Sequence, residues 1–483
     1  MMKISRKSFL CLMGSAALGL SGVGCGASGS SSSTVLSPKD PVTITAWTYY
    51  NGDQLETFQS LVDTFNSTVG QEKGIIVKGS SQGSVGELET SVLESADGKV
   101  GAPPLPNIFS AYADTAYTVD QMGLLADLSP YFTEDERSAY VKGYLDEGDF
   151  DGNGSIKIFP TAKSTELLFL NDTDWQDFAA ATGASYDDLD TIEGLVDTAG
   201  KYYDWTAAQT GEGKALFGRD AMANYLLIGA QQLGNPVFEV ETGKMTVTLT
   251  EETARRLWDG YYVPFLKGWF DATGRFRSDD IKTGNVIGYV GSSSSATYFP
   301  SQVMTSDTES HDIALKVLPA PHFADEVRAV TVQQGAGMTV TKGTDAEIAA
   351  SVEFLKWFTQ PENNIAFAVG SGYLPVTYAA NDMDAIRASG LDLTDKMDSI
   401  LTGAVESVQT LDLYTPNAFP GGADARNVLE HTLSDLATAD RATVEERIAA
   451  GQTPEDAEAE FLTEDYFQNW YTSLCDQLHT YEG

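Results

Sequence analysis

The sequence predicts an α/β protein of at least two lobes. Three observations lead there: apolar strands alternate with amphipathic helices early in the body, the chain has 483 residues, and 42% of them are hydrophobic. Alternating βα units imply parallel pairing with right-handed crossovers. Single cores stop growing near about 250–300 residues, so this length divides. The 45 glycines are spread along the chain, as in a loop-rich globular protein. A formal charge of −39 argues against nucleic acid and broad adhesion to anionic membranes, both of which need basic surface.

At the N-terminus, Lys3, Arg6 and Lys7 precede an apolar stretch from Phe9 to Leu20, too short to span a bilayer comfortably. Gly22, Val23 and Gly24 then lead into Cys25, followed by a Gly/Ser run. The arrangement resembles a bacterial lipoprotein signal, with a signal peptide over 1–24, Cys25 lipidated, and a disordered Ser/Gly linker over 25–40. Gly22 stands where that signal usually has Leu. "SRKSFLC" also resembles a twin-arginine export signal, with Lys7 in place of the second Arg. Of the other cysteines, Cys11 lies in the signal and Cys475 in the body, so neither an intramolecular disulfide framework nor a cysteine zinc site is expected.

The body opens with "PVTITAWTYY", where Val42, Ile44 and Ala46 alternate as in a strand. Leu55, Phe58, Leu61, Val62 and Phe65 follow at helical spacing. "GIIVKGSS", "VGELETSVLESA" and "NIFSAY" continue as strand, helix and strand. Ligands of such sheets bind beyond the carboxyl ends of the strands. Trp47, Tyr49, Tyr50, Ser80, Ser81, Tyr112 and Asp114 are thereby expected along one cleft edge.

"DFDGNGSIKIFP" begins like a calcium loop, with Asp149, Asp151, Asn153 and Gly154 at the first, third, fifth and sixth places. The twelfth place holds Pro160 instead of a bidentate Glu, and Asn153-Gly154 alone signals a hairpin turn into a strand over 155–159. We read a turn, and expect no metal and no cofactor. Beyond it the pattern is more helical: "TIEGLVDTAGKYYDWTAA", "MANYLLIGAQQLG" and a helix capped by Thr250 with Glu251 and Glu252 in its first turn. Strands return at "NVIGYVGSSSSATYF", "IALKVLPAPHF" and "GAGMTVTKG", before a helix pair broken at Gln360-Pro361.

"FPTAKSTELLFLND" resembles the "Pro-x-x-x-Ser-x-x-x-Leu-x-Tyr-Asn" segment of bacterial extracellular solute-binding proteins, the receptors of ABC importers. "AASVEFLKWFTQPENNIAFAVGSGYLPV" is similar to a second segment of that family over its whole length. "GSSSSATYF" is similar to its ligand-touching Gly/Ser loop. "FPGGADARNVLEHTL" with "IAAGQTPEDAEAEF" resembles the end of its glycerol-3-phosphate-binding branch. The likeness runs through nearly all of residues 42–475.

The resemblance implies a two-lobed periplasmic-binding-protein-like fold (type II) with a multi-strand hinge. Lobe 1 is expected from 41–160 and 312–375, lobe 2 from 161–311 and 376–483. The chain would cross near Phe159–Lys163, near residue 311 and near Leu374–Val376. Carried over as ligand contacts are Ser164, Ser292, Ser293, Ser294, the backbone at Gly335, Tyr373 and Arg426. Two positions depart from the glycerophosphate branch: Val85 replaces a Tyr, and Ala113 beside Asp114 replaces a Glu. The resemblance further implies a non-enzymatic, monomeric receptor on the outer face of the cytoplasmic membrane. It would deliver a small polar ligand to ABC permease subunits.

The residue chemistry suits that role while leaving bland readings open. A buried polar group without a partner costs about 1–3 kcal/mol, and serine hydroxyls both donate and accept; a Ser-rich loop is equally an ordinary linker. Arg426 offers a permanently charged fork to phosphate, carboxylate or paired hydroxyls, or pairs on the helix surface with Asp424 or Glu430. Tyr373 touches ligand or plugs the seam between lobes. A phosphate ligand approaching this acidic chain needs Arg426; a neutral saccharide does not. The competing class is a secreted carbohydrate-active hydrolase, which needs two carboxylates across a cleft. No His-Glu-x-x-His motif is present, and the four histidines are scattered.

Overall fold

The computed structural model describes residues 36–304 and 309–483. The signal peptide, Cys25 and most of the 25–40 linker lie outside the described residues. Among the described residues no helix is long and apolar enough to cross a membrane.

Two four-stranded sheets organise the chain. The first contains β1 (Val42–Thr48), β2 (Ile75–Ser81), β3 (Ile108–Ala111) and β13 (Gly337–Val340), in the order β13-β3-β1-β2. β1 runs parallel to β2, from Val42↔Ile75 to Thr48↔Ser81, and parallel to β3; β13 joins β3 antiparallel. The helix Gly52–Ser67 buries Phe58, Leu61, Val62 and Phe65, the stripe its spacing predicts. Phe354 and Phe358 of helix Asp345–Phe358 pack on Phe58 at 6.5 and 6.0 Å between ring centroids.

The second sheet contains β4 (Glu166–Asn171), β5 (Phe217–Arg219), β8 (Gly288–Ser292) and β11 (Leu315–Pro319), in the order β11-β4-β8-β5. All six residues of β4 are buried, because strands flank it on both sides and helices cover both faces. Helices Ile192–Thr210, Met222–Gln232, Glu251–Leu266, Gly422–Ala449 and Glu464–His479 complete this lobe around Trp175, Trp258 and Tyr262. Smaller ladders are β6 (Phe238–Glu241) with β7 (Lys244–Val247), β9 (Gln302–Met304) with β10 (Ser310–Asp312), and β12 (Val330–Val332) parallel to β14 (Asp412–Tyr414).

Three strips of chain join the lobes side by side. Phe159 bridges Met338; Ser164 and Gln334 exchange N–H···O bonds of 3.0 and 2.9 Å; Lys163 and Leu374 do the same. Asn364 clamps two strips, donating to Thr161 O and accepting from Val376 N, each at 2.8 Å. Lys163 is fully buried among them. Its ammonium pairs with Glu147 and donates to Gly335 O at 2.8 Å, while Gln333 Nε2 donates to Glu147 at 2.8 Å.

Two expectations change. The sequence groups 312–375 with the first lobe, yet β11 pairs antiparallel with β4, so the second strip runs between Pro319 and Gly337 instead of near 311. Apolar alternation marks a strand without saying which neighbour it takes. Residues 155–158 form no strand after the Asn153-Gly154 turn; only Phe159 bridges. The Asp149 carboxylate itself accepts from the N–H groups of Asn153, Gly154 and Ser155 at 2.8–3.2 Å, which shapes the loop from within. Cys475 is half-buried on the last long helix.

Candidate functional site

A cavity of about 410 Å³ lies between the lobes, within the range usual for small-molecule sites. The first lobe contributes Glu89 from helix Val85–Ala96, Tyr112 and Asp114 from the start of helix Ala113–Gln121, and Glu147. The second lobe contributes Asn224, Phe238, Phe419 and Arg426, and the strip residues Gln333 and Gln334 also line it. Aromatic walls with few, convergent polar groups suit a flat, hydroxyl-bearing guest.

Arg426 projects from the second turn of helix Gly422–Ala449 and is held by a relay of buried groups. It donates to Asn224 Oδ1 at 2.6 Å; Asn224 Nδ2 donates to Glu166 Oε1 at 2.8 Å; Arg219 donates to Glu166 Oε2 at 3.3 Å. Burial raises the Glu166 carboxyl despite Arg219 and Asn224. Glu430 caps helix Met222–Gln232, accepting from Met222 N and Ala223 N at 3.0 and 2.9 Å. At the head of that helix Ala221 sits at φ 47°, a left-handed conformation that costs a non-glycine residue about 1–2 kcal/mol. The strain falls on the cavity wall, where such strain gathers at functional sites.

Asp114 crosses the gap. Its carboxylate rests against Gly422, where a Cβ would come within 2.9 Å of Asp114 Cγ and nearer still to Oδ1. Burial pushes the Asp114 carboxyl up to about 6; Arg426 opposes the shift, and Glu89 and Glu147 add to it. Burial likewise raises Glu89, opposed by a hydrogen bond to Thr115 and by Arg426. The lining therefore carries Glu89, Asp114 and Glu147 against one cation, Arg426.

The structure thus brings Tyr112, Asp114 and Arg426 to one cavity. It places the other sequence-predicted residues elsewhere. Tyr49 OH and Tyr373 OH lie 3.0 Å apart in a part-buried knot on the first lobe's core, with Phe367 stacked on Tyr373 and Tyr112 on Tyr49. Ser292 Oγ meets Ser294 Oγ at 3.0 Å and Ser295 Oγ donates to Ser292 O, so these hydroxyls shape the turn Ser293–Tyr298; the Ser293 hydroxyl is buried. Gly372 abuts that turn across the seam. Ser164 is buried and serves through its backbone; Gly335, at φ +86°, lets two strips approach, since a Cβ there would meet Ala162 O at 2.8 Å. Trp47 belongs to the core with Leu88, Val92 and Phe109. Sequence reasoning missed Glu89, Glu147, Asn224, Phe238 and Phe419. Glu89 alone had a signal, one helical turn after Val85. Among the described residues no group of His, Cys, Asp and Glu could hold a metal ion.

Residues 60–391 match the family model of the bacterial extracellular solute-binding proteins. The chain belongs to that family. Solved structures agree on the two-lobed fold. A cyclic α-maltosyl-1,6-maltose binding protein from Arthrobacter globiformis superposes with a TM-score of 0.65 at 17% identity, covering 91% of this chain and 100% of that one. UgpB from Mycobacterium tuberculosis, in complex with glycerophosphocholine, gives 0.66 at 18%, covering 91% and 99%. The binding protein Lmo0181 from Listeria monocytogenes, in complex with cycloalternan, gives 0.63 at 16%, covering 90% and 99%. No curated protein sequence matches the chain. As an extracellular solute-binding protein, it holds its candidate site between its two lobes, lined by helix starts, loops and the joining strips.

Proposed function

We propose that this solute-binding protein captures a small polyhydroxylated solute, of saccharide type, between its lobes and delivers it to an ABC permease. One observation carries the choice: the interlobe cavity opposes three carboxylates to a single guanidinium and adds Tyr112, Phe238 and Phe419 as flat walls. Carboxylates accept from sugar hydroxyls and the guanidinium donates to them, so a neutral polyol satisfies both walls. A glycerophosphate-type ligand is the second reading, favoured by Arg426 alone. Closure follows hinge motion on the three strips, because each lobe supplies part of the contact set. The lobes on this reading divide at those strips, the protein acts as a monomer, and lipidated Cys25 tethers it near its transporter.

Thermal shift and calorimetry with maltose-type and xylose-type oligosaccharides, glycerol-3-phosphate and glycerophosphodiesters test the proposal. A saccharide should raise the melting temperature without being consumed. Release of product would move the reading to a hydrolase, and binding confined to the phosphate compounds would move it to the second reading.

A further inference from the structure

Taking the interlobe cavity as the solute site, we propose that Asp114 is its charge-selecting residue, turning away solutes that carry a free sulfate, phosphate or carboxylate. An anion entering this cavity has one place to go. Arg426 is the only basic side chain on the lining of the described residues, and it stands in the second turn of helix Gly422–Ala449. That place is already faced by a carboxylate from the opposite lobe. Asp114 lies against Gly422 at the head of the same helix, closer than any side chain there would allow. Helix Val85–Ala96 adds Glu89 on the same side, and Glu147 follows helix Lys142–Asp146. Lys163 is engaged by Glu147 behind the wall and does not line the cavity. A bound anion must either displace Asp114 or sit beside it, and like charges in a confined site repel strongly. Neutral and cation-bearing solutes meet no such barrier.

The same geometry makes the selection acid-sensitive. The groups that face Asp114 are Arg426, Glu89 and Glu147, and burial with these neighbours sets its carboxyl at about 6. Protonation removes the repelling charge and leaves Arg426 free to bind an anion, so anion exclusion holds at neutral pH and relaxes in mild acid.

Sulfate is the suitable probe, because its charge is constant through this range. Equilibrium dialysis with radiolabelled sulfate at low ionic strength compares the full chain, Asp114→Asn, and Asp114→Asn with Arg426→Ala. At pH 7.5, D114N should bind sulfate at least about tenfold more tightly than the unaltered chain, and the double variant should lose that gain. The unaltered chain should tighten its hold several-fold between pH 7.5 and 5, with most of that response absent from D114N. Equal sulfate affinity for D114N and the unaltered chain at pH 7.5, or one pH profile shared by both, would overturn the proposal. The saccharide panel, run on the same samples, separates the two readings. No saccharide binding would sink the proposed solute class, whereas saccharide binding with sulfate indifferent to Asp114 would sink only the charge filter.

Discussion

Replacing Gly422 by alanine should impair binding while leaving the fold intact. Gly422 opens helix Gly422–Ala449 with ordinary helical backbone, where alanine is favoured over glycine by up to about 1 kcal/mol. The added methyl, however, would sit 2.9 Å from Asp114 Cγ, against about 3.5–4.0 Å for relaxed carbon contacts. The seam must open there by roughly 0.6–1 Å. Loss of one or two ligand hydrogen bonds from the opposite wall, at about 1 kcal/mol each, weakens binding about 5–30-fold. Calorimetry with the tightest saccharide, small-angle scattering with and without it, and a thermal melt read the three consequences: weaker binding, a larger liganded radius of gyration, and an unchanged or higher melting temperature. Asp114→Ala in the same chain should recover the scattering profile by removing the obstacle. A Gly422→Ala protein that binds and compacts as the unaltered chain does would refute the contact as a limit on closure.

Other outcomes follow from the same geometry. Lys163→Met strands Glu147 in the hinge and should cost about 3–5 kcal/mol in urea unfolding, with much of it restored by adding Glu147→Gln; a loss below about 1 kcal/mol would contradict a stabilising pair. Asp114 holds its proton to about pH 6 in the fold but only to about 3.9 unfolded, so its contribution to stability falls as pH rises between those values. Asp114→Asn should therefore be more stable than the unaltered chain at pH 8, by at most about 3 kcal/mol, and no more stable at pH 3.5, as urea melts at the two pH values would show. Arg426→Ala removes a charge-assisted donor from the cavity and should weaken saccharide binding on the order of tenfold or more, measured by calorimetry.

The parts of this protein legible in its sequence are those set by local periodicity. The stripe Phe58, Leu61, Val62, Phe65 announced its helix, and Thr250 its cap, since caps and stripes depend on neighbours a turn away. The parallel trio β1, β2, β3 followed from its alternation with helices. Pairings that join distant segments were not legible. β11 finds β4 across more than a hundred residues, and nothing in "IALKVLPAPHF" names that partner. The site divides the same way. Arg426 and Asp114 could be proposed singly, but their meeting across the seam depends on where two helices begin in separate lobes. Asn224 holds Arg426 only because two helices of the second lobe lie together. The serines at 292–295 read alike in composition, yet their hydroxyls divide: Ser292 Oγ pairs with Ser294 Oγ and Ser295 Oγ donates to Ser292 O, while the Ser293 hydroxyl is buried without a partner among the described residues.

The threading of the strips bears on how the protein is made. β13 closes the first sheet, and helix Asp345–Phe358 supplies phenylalanines packed on Phe58, so the first lobe draws on segments some three hundred positions apart. During synthesis that half stays unfinished until most of the polypeptide has left the ribosome.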